Sequence, residues 1–332
     1  MSKVVVVTGA SAGIGRATAV AFARRGDRVA LLARGETGLA AAAEEVRAAG
    51  GTALEIPVDV SDAAAVETAA DRVEAELGPI DVWCNCAFTT AFARFSDISA
   101  EEYERATAVT YLGFVNGTRS ALTRMKPRDR GVVVQTGSAL AYRGIPLQSV
   151  YCGAKHAIKG FTESVLTELR NEGSGVHLSM VNAPGVNTPQ FDWVLNRLPK
   201  RPQPVAPIYH PAVMGEAMVH ASEHPRRRAW WVGIPTVYTI LGAKVSPQFL
   251  DWYLARSGIQ GQQTSEDARP GDPVNLWEPA DGPRGRDFGA EGRFSDQAWT
   301  RDPQIWASRH HGAVATLGAA ALAGAATLWR RR

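Results

Sequence analysis

The N-terminal stretch Val4-Val5-Val6-Val7-Thr8-Gly9-Ala10-Ser11-Ala12-Gly13-Ile14-Gly15 runs from four valines straight into a glycine-rich turn. A short β-branched run of this kind is typical of a strand that is buried on both faces, as in a parallel sheet. It is too short for a signal peptide. Residues 17–25 then follow a helical pattern that Gly26 ends. Strand, glycine turn and helix in this order predict the first unit of an α/β fold.

The alternation of strands and helices continues along the chain to residue 235. We expect further strands at 28–33, 53–58, 80–84, 131–135, 176–181 and 229–232, and helices at 37–49, 63–77, 100–125 and 151–172. Strand–helix units without hairpin signals predict a doubly wound parallel sheet.

Length and composition limit the class of protein. The chain has 332 residues, of which 45% are hydrophobic, so a folded core is expected and disorder of the whole is excluded. Three cysteines, Cys84, Cys86 and Cys152, form no disulfide framework and suit a reducing, cytoplasmic compartment. No His/Cys cluster has zinc spacing, so no metal site is predicted. The net charge of +3 argues against nucleic acid as a partner.

The C-terminal part of the chain differs from the rest. We divide the sequence into an α/β domain over 1–255, an arm over 256–310 and a terminal segment over 311–332. The arm is rich in proline and glycine and has no helical or strand period, which predicts an irregular surface extension. Because indole rings are costly to leave in water, its tryptophans are expected to pack on the core, a neighbouring subunit or a membrane surface. These tryptophans are Trp277, Trp299 and Trp306.

Residues 312–329 carry no charge, and the chain ends in Arg330, Arg331 and Arg332. A helix of this length would span about 27 Å, close to the hydrocarbon thickness of a bilayer. Its 8 alanines and 3 glycines give a weak drive to insert, and the arginines would have to cross the membrane. Membrane association through 312–329 and a soluble Ala-rich helix are both kept as interpretations.

The glycine-rich turn stands where a phosphate group can bind. Glycines permit a close backbone approach, and the following helix offers free N–H groups and the positive end of its dipole to a pyrophosphate. The alternative is a structural turn without a ligand. Because the turn follows a buried strand and opens a helix, it has the context of a dinucleotide-binding motif.

The end of the second predicted strand indicates which dinucleotide is bound. NAD-binding proteins usually place an acidic side chain there to hold the ribose hydroxyls, whereas the 2′-phosphate of NADP requires a cation. This strand ends in Ala33 and Arg34, which offer no acid and one guanidinium suited to phosphate. NADP(H) is therefore predicted over NAD(H). The alternative is an exposed arginine on a loop.

Three further residues can act on a carbonyl or alcohol group. Tyr151 and Lys155 are four residues apart, which places them on one face of a helix. A free phenol has a pKa near 10, and a nearby ammonium group favours the phenolate. Ser138 follows the fifth strand and could hydrogen-bond the same substrate oxygen. Tyr–Lys pairs are common on helix surfaces, so this assignment depends on the glycine turn and Ser138 preceding the pair, in that order, in the sequence.

Together these motifs resemble those of the classical short-chain dehydrogenase/reductase family. The resemblance covers residues 3 to about 235 and implies a seven-stranded Rossmann-type sheet, reversible hydride transfer between a nicotinamide cofactor and a carbonyl or alcohol, and a homodimer or homotetramer. The motifs that carry it are Thr8-Gly9-x-x-x-Gly13-x-Gly15, Asp59-Val60, Ser138, Tyr151-x-x-x-Lys155 and Pro184-Gly185-x-x-Thr188.

The resemblance also implies a role for each matching residue. Ser138 would polarise the substrate oxygen, Tyr151 would be the general acid in reduction, and Lys155 would hold the nicotinamide ribose and lower the tyrosine pKa. The pyrophosphate and nearby ribose would be held by Gly9, Ser11, Gly13, Ile14 and Gly15. The adenine would be bordered by Asp59 and Val60. The nicotinamide would pack on Pro184, Gly185, Val186 and Thr188. The family's Asn-Asn-Ala-Gly element beside the cofactor is matched by Asn85 and Ala87.

Two positions depart from the family's pattern. Phe88 replaces a glycine beside the cofactor, so its side chain must point elsewhere or shape the pocket. Thr110 replaces the family's catalytic asparagine, which helps to hold a water that links the lysine to solvent. We expect the proton relay to be slower or differently routed as a result.

The leading functional prediction is an NADPH-dependent carbonyl reductase. The segment after Thr188 suits a lipophilic ketone or secondary alcohol, although an amphipathic helix packed on the core would look the same. Its apolar residues are Phe191, Trp193, Leu195 and Leu198. Two alternatives stay open: an NAD(P)-linked alcohol dehydrogenase working in the oxidative direction, and a non-enzymatic nucleotide-sensing or scaffold protein. The glycine spacing disfavours an epimerase or dehydratase.

Overall fold

The computed structural model describes residues 2–269 and 271–310, together with 312 and 316. Its centre is a parallel sheet of seven strands: β1 Val4–Thr8, β2 Arg28–Ala33, β3 Thr52–Pro57, β4 Val82–Asn85, β5 Gly131–Ser138, β6 Val176–Ala183 and β7 Ala229–Trp231. Their order across the sheet is β7-β6-β5-β4-β1-β2-β3. Successive strands run outward from β1 in both directions, so the predicted doubly wound, Rossmann-type α/β fold is confirmed.

Helices cover both faces of the sheet. They are α1 Gly13–Ala23, α2 Glu36–Ala48, α3 Ala63–Leu77, α4 Ala100–Thr107, α5 Gly113–Met125, α6 Ser149–Asn171 and α7 Pro211–Glu223. Side chains alternate along β1, so Val5 and Val7 pack with α1, α2 and α7, whereas Val4 and Val6 pack with α3, α5 and α6. This burial on both faces explains why four consecutive valines form the central strand.

The helix predicted over 100–125 is interrupted. A π-helical turn, Ala108–Leu112, joins α4 to α5 and contains Thr110. π-Turns inside α-helices are frequently found at functional sites. The extra residue in such a turn changes the direction of the side chains that follow it. A pattern of apolar residues cannot show such a turn.

Two helices that the sequence did not predict follow β7. They are α8 Ile234–Val245 and α9 Pro247–Ser257, and each has a proline in its first turn. α9 extends past the expected domain boundary at residue 255. Several of their large apolar side chains are exposed, including Tyr238, Val245 and Phe249. Without one buried apolar face, these helices lack the periodicity that predicts a helix.

The arm, residues 256–310, is mostly irregular but lies against the core. Its strand Gln263–Asp267 pairs antiparallel with Lys200–Pro202, and helix α10, Pro303–Arg309, lies at its end. Its large buried apolar side chains are Leu276, Phe294 and Ile305, whereas the three tryptophans are each about half exposed. The arm therefore packs on the core through aliphatic and phenyl groups rather than through its indoles.

The described residues contain no helix that is long and apolar enough to cross a bilayer. The prediction of membrane association through 312–329 concerns a segment that, apart from residues 312 and 316, lies outside the described part of the chain.

Candidate active site

The strand order changes direction between β1 and β4, and this is where an α/β sheet opens a crevice at the carboxyl ends of its strands. The turn after β1 borders this crevice. Gly13 in the turn has a φ of +57°, which side chains disfavour. A Cβ at residue 15 would overlap the carbonyl oxygen of Gly9. Glycine is thus required at both positions for α1 to begin so close to β1.

Two neighbouring cavities form the groove on either side of this turn. The lining of the larger cavity includes the predicted cofactor residues Gly9, Ser11, Gly13, Ile14, Gly15, Ala87 and Thr188. The lining of the smaller cavity includes Gly9, Ser11, Arg34, Asp59, Val60 and Ala87. An elongated groove with a helix N-terminus at its middle fits a dinucleotide whose phosphates lie near α1. The residues present therefore suit a nicotinamide dinucleotide.

Asn85 lies in the core and not in this groove. Its Oδ1 accepts a hydrogen bond from Trp83 Nε1 at 2.9 Å, and its Nδ2 donates to Gln135 Oε1 at 2.9 Å and to Thr118 Oγ1 at 3.2 Å. The side chain is fully buried, and its hydrogen-bonding groups are used to join β4, β5 and α5. The hydrogen bonds of this side chain are therefore structural, and a contact of Asn85 with the cofactor stays a prediction.

The Pro184-Gly185-x-x-Thr188 motif is divided by the fold. Gly185–Val186 pairs in parallel with Ile208–Tyr209, in a small sheet beside the main one. The side chain of Pro184 lies near Gly233. Thr188 lines the larger cavity. In this arrangement Thr188 is the member of the motif that the groove exposes, while Pro184, Gly185 and Val186 support the loop behind it.

Asp59 borders the smaller cavity and is held by neighbouring side chains. Its Oδ2 accepts from Arg105 Nη2 at 2.5 Å, and its Oδ1 accepts from Ser61 Oγ at 2.7 Å. Burial would raise the pKa of Asp59, but these hydrogen bonds outweigh it and hold the pKa below its ordinary value. Asp59 is thus a fixed carboxylate beside Val60, at the position where the family resemblance implies that the adenine binds.

Ser138 and Tyr151 come together at the carboxyl end of β5 and the start of α6. Ser138 is the last residue of β5, and its Oγ accepts from the N–H of Leu140 at 3.1 Å. Burial raises the pKa of Tyr151 to about 12, although a hydrogen bond with Ser138 lowers it. The phenol is therefore firmly protonated at neutral pH in the protein alone.

Lys155 lies one turn further along α6 and is 2% exposed. Its Nζ donates to the carbonyl oxygen of Thr136 at 2.7 Å and lies 4.8 Å from the ring centroid of Phe114 and 5.5 Å from that of Tyr151. Burial lowers the pKa of Lys155 to about 7, against the opposing effect of Cys86. In the protein alone, Ser138 rather than Lys155 is the group that opposes the high pKa of Tyr151.

Phe88 shapes the pocket, which was one of the two outcomes expected for this departure. Its ring meets the ring of Tyr151 edge to face, with centroids 5.7 Å apart. It also lines both cavities. The phenyl group covers Tyr151 and contributes to the burial that raises the tyrosine pKa.

Thr110 hydrogen-bonds the chain after β4 directly. Its Oγ1 accepts from the N–H of Thr89 at 3.0 Å and donates to the carbonyl oxygen of Thr89 at 2.6 Å. Thr110 is 1% exposed. The hydroxyl of Thr110 thus accepts from and donates to the backbone of one residue, Thr89. This pair of hydrogen bonds fixes the segment that carries Phe88.

The arm supplies groove residues that sequence analysis missed. Asn275, Pro279 and Asp281 line the smaller cavity. The N–H of Gly13 donates to the carbonyl oxygen of Gly289 at 3.2 Å, so the arm also reaches the glycine turn. No periodic pattern marks these residues, and their position depends on long-range contacts. The only available signal was the unusual density of proline, glycine and acid in an otherwise α/β sequence.

A cluster with metal-binding residue types lies outside the groove. Ligand atoms of His220, Glu223 and His224 come within 4.8 Å of one another. However, Glu223 is paired with Arg25. Burial and then the positive charge of Arg309 and neighbouring cations lower the pKa of His220 to about 4. These cationic surroundings disfavour a metal ion.

Comparison with known proteins agrees with the geometry of the groove. The family model described as short chain dehydrogenase matches residues 3–196. An uncharacterized oxidoreductase of Bacillus subtilis (strain 168), YxnA, is 29% identical over 301 residues, which are 90% of this chain and 82% of that protein. The 3-ketodihydrosphingosine reductase of Bos taurus is 32% identical over 192 residues, or 56% of this chain and 57% of the relative.

A further relative is the probable oxidoreductase EphD of Mycobacterium tuberculosis, 40% identical over 183 residues. The matched region is 55% of this chain and 30% of EphD, so most of EphD lies outside the match. Among solved structures, an alcohol dehydrogenase from the archaeon Thermococcus sibiricus, complexed with 5-hydroxy-NADP, superposes with a TM-score of 0.61 and 26% identity. The match covers 70% of this chain and 96% of that one. On the family match, the fold and the order of its motifs, this chain is an oxidoreductase that belongs to the short-chain dehydrogenase family.

Proposed function

We propose that the protein transfers a hydride between a nicotinamide dinucleotide and the carbonyl or secondary alcohol group of an apolar substrate. The observation that carries the proposal is the placement of Ser138, Tyr151 and Lys155 at the carboxyl end of β5 and the start of α6, with Phe88, which contacts the ring of Tyr151, lining the groove. Other oxidoreductases of the family act on CH–OH and C=O groups, which supports this class of reaction.

Three side chains of the protein have distinct roles in the proposed reaction. A bound nicotinamide ring would supply or accept the hydride. Tyr151 is protonated at neutral pH, so it can give that proton to a carbonyl oxygen that is gaining negative charge. Ser138 would hydrogen-bond the same oxygen, and Lys155, one turn away, would hold the cofactor ribose.

The prediction of NADP(H) over NAD(H) rests on Arg34. The sequence predicts NADP(H), and the NADP analogue in the archaeal alcohol dehydrogenase supports this. In the structure, however, Nη1 of Arg34 donates to the carbonyl oxygen of Trp277 at 2.7 Å and Nη2 donates to that of Asn275 at 3.0 Å. A role for Arg34 toward a 2′-phosphate therefore requires the arm to release it.

The substrate would be lipophilic. Phe88, Trp193 and Val194 line the larger cavity. Phe191 and Leu198 are buried with Val194 in an apolar cluster and do not line the cavity, so packing explains these two and they do not support the substrate prediction. The reductase of Bos taurus is named for a 3-ketodihydrosphingosine, a long-chain ketone, which agrees with an apolar site. The homodimer or homotetramer and the cytoplasmic location remain predictions.

The deciding experiment follows oxidation of NADH and NADPH with ketones and aldehydes graded by size and lipophilicity, and reduction of NAD⁺ and NADP⁺ with the corresponding alcohols. Turnover that rises with lipophilicity and vanishes in Tyr151→Phe would support the proposal. Tight dinucleotide binding without turnover on any compound would favour the nucleotide-sensing alternative. Faster oxidation of alcohols than reduction of ketones at neutral pH would favour the dehydrogenase alternative.

A further inference from the structure

The end of β2 lacks the acid that holds the ribose hydroxyls in NAD-binding proteins, but the arm brings an acid to the same place. Asp281 lines the smaller cavity together with Ser11, Arg34 and Asp59. It is 3% exposed. The carboxylate therefore reaches the groove from a position 247 residues beyond Arg34 in the chain.

The α2 N-terminus is built to receive this carboxylate. A Cβ at residue 35 or at residue 38 would overlap the carboxyl group of Asp281, so only glycine at both positions leaves room for it. The main chain of Asp281 is held independently, because its carbonyl oxygen accepts from the N–H of Thr37 at 3.1 Å. Thr37 Oγ1 also donates to the carbonyl oxygen of Gly282 at 2.9 Å.

The carboxylate is nevertheless incompletely hydrogen-bonded. Among the described residues, Oδ2 of Asp281 has no hydrogen-bond partner. A buried, unpartnered carboxylate oxygen is costly, and a ligand that brings hydroxyl donors removes that cost. The vicinal hydroxyls of an adenosine ribose are such donors. A 2′-phosphate would instead place negative charge against negative charge.

The cation that would have to balance the charge of a 2′-phosphate is Arg34, and its N–H groups already donate to the arm. Arg34 donates to the carbonyl oxygens of Asn275 and Trp277 and to Oδ1 of Asn275, all in the arm. Its guanidinium thus holds the segment that carries Asp281. Arg34 and Asp281 form one arrangement, in which the basic residue fixes the arm and the acidic residue is part of the lining of the cavity.

We propose that Asp281 supplies, from the C-terminal arm, the carboxylate that binds the adenosine ribose hydroxyls, and that it makes the protein prefer NAD(H) to NADP(H). This inference rests on the proposed function, because it requires a nicotinamide dinucleotide in the groove. It reverses the cofactor preference that Arg34 alone predicts. The specificity residue is then part of the arm, outside the strand–turn–helix unit that binds the pyrophosphate.

The test measures dissociation constants of NADH and NADPH by isothermal titration calorimetry, without substrate, on the full chain. The wild type should bind NADH at least tenfold more tightly than NADPH. This factor corresponds to one charge-assisted hydrogen bond, at about tenfold per 1.4 kcal/mol. Asp281→Asn keeps the shape and the backbone bonds and should move the NADPH/NADH ratio about tenfold or more toward NADPH. Asp296→Asn, an exposed acid of the same arm, is the matched control and should leave the ratio unchanged.

The outcomes separate the inference from the proposed function. Failure of both dinucleotides to bind would overturn the proposed function and the inference with it. Binding of both, with a wild-type preference for NADPH or with a ratio that Asp281→Asn does not move, would overturn the inference alone. Circular dichroism and thermal melting of each variant identify a loss of folding. If Asp281→Asn does not fold, Asp281→Ser, which also removes the charge, serves in its place with the same expected shift.

Discussion

Arg34 and Trp277 are 243 residues apart in the sequence, yet Nη1 of Arg34 donates to the carbonyl oxygen of Trp277 at 2.7 Å. Asn275 accepts from the same guanidinium through its backbone and side-chain oxygens. This contact ties the last part of the chain to the end of the second strand. It also makes the arm a wall of the cofactor groove.

Arg34→Ala should therefore weaken NADH binding by about tenfold, because the hydrogen bonds that hold the arm with Asp281 are lost, and it should weaken NADPH binding by no more than that. Calorimetric titration of both dinucleotides measures the two losses. Arg94→Ala, at an exposed position, is the control and should change neither affinity. A loss confined to NADPH would show that Arg34 binds the 2′-phosphate, as the sequence predicts.

Tyr151→Phe should lower kcat for ketone reduction by a factor of about 100 to 10,000, the usual contribution of a general acid. Cofactor affinity should change little, because the ring and its contact with Phe88 are retained. Steady-state kinetics and cofactor titration measure the two effects separately. Tyr103→Phe, at a partly buried position outside the groove, should behave as wild type. Retained turnover in Tyr151→Phe would rule out the phenol as proton donor.

The buried Lys155 should make stability depend on pH. Its pKa is about 7 in the folded protein and near 10.5 when unfolded, so the unfolded state binds more protons between these values. Stability should rise with pH across this window, and the cost of burying the charge should be largest below pH 7. Lys155→Met should therefore gain most stability relative to wild type at acidic pH, and progressively less toward pH 10.

Denaturant unfolding at a series of pH values measures this difference. Lys159→Met is a matched control on the same helix, since Lys159 is partly exposed and pairs with Glu163. It should show no such pH dependence. A Lys155→Met advantage that is constant from pH 6 to pH 10 would mean that Lys155 keeps an ordinary pKa in the folded protein.

Phe88→Gly should expose Tyr151 and bring its pKa down from about 12 toward 10, because the phenyl ring is part of the cover that desolvates the phenol. The difference in tyrosinate absorbance between each protein and its Tyr151→Phe counterpart isolates this one phenol. Phe88→Leu keeps an apolar cover and should leave the pKa high. An unchanged titration in Phe88→Gly would assign the burial to other neighbours.

Thr110→Val should destabilise the fold by about 1–3 kcal/mol, because it leaves the N–H of Thr89 buried without its hydroxyl partner. Thr110→Ser keeps the hydroxyl and should cost much less. Thermal or denaturant unfolding compares them. Equal stability of the valine and serine variants would show that the Thr89–Thr110 contacts contribute nothing. Thr110→Asn, which restores the residue of the family's pattern, should also lose this pair of contacts.

The sequence could place the local parts of the candidate site on their strands, turns and helices. The glycine turn, Asp59 with Val60, and the Ser138, Tyr151 and Lys155 set all lie on or directly after strands and helices whose apolar periods are clear. Asn85 shows the limit of this reasoning. A motif match put it at the cofactor, but three hydrogen bonds inside the core place its side chain elsewhere.

The tyrosine pKa could not be predicted in the same way. Spacing indicates that Lys155 is near Tyr151, and an ammonium group alone would lower the phenol's pKa. The degree of burial is a property of the packed structure, and here it raises the pKa of Tyr151 and lowers that of Lys155. Desolvation of both groups by Phe88, Phe114 and their neighbours outweighs the expected charge effect.

The sequence by itself determined the α/β fold, the parallel sheet and the position of the glycine turn, because each depends on apolar periodicity and backbone freedom over a few neighbouring residues. Only the tertiary structure decided that the arm returns to the groove and places Asp281 between Gly35 and Gly38. That placement rests on hydrogen bonds between an irregular backbone and side chains more than 200 residues away. Such contacts leave no periodic pattern, so the arm's part in the cofactor site emerges only when the chain is folded.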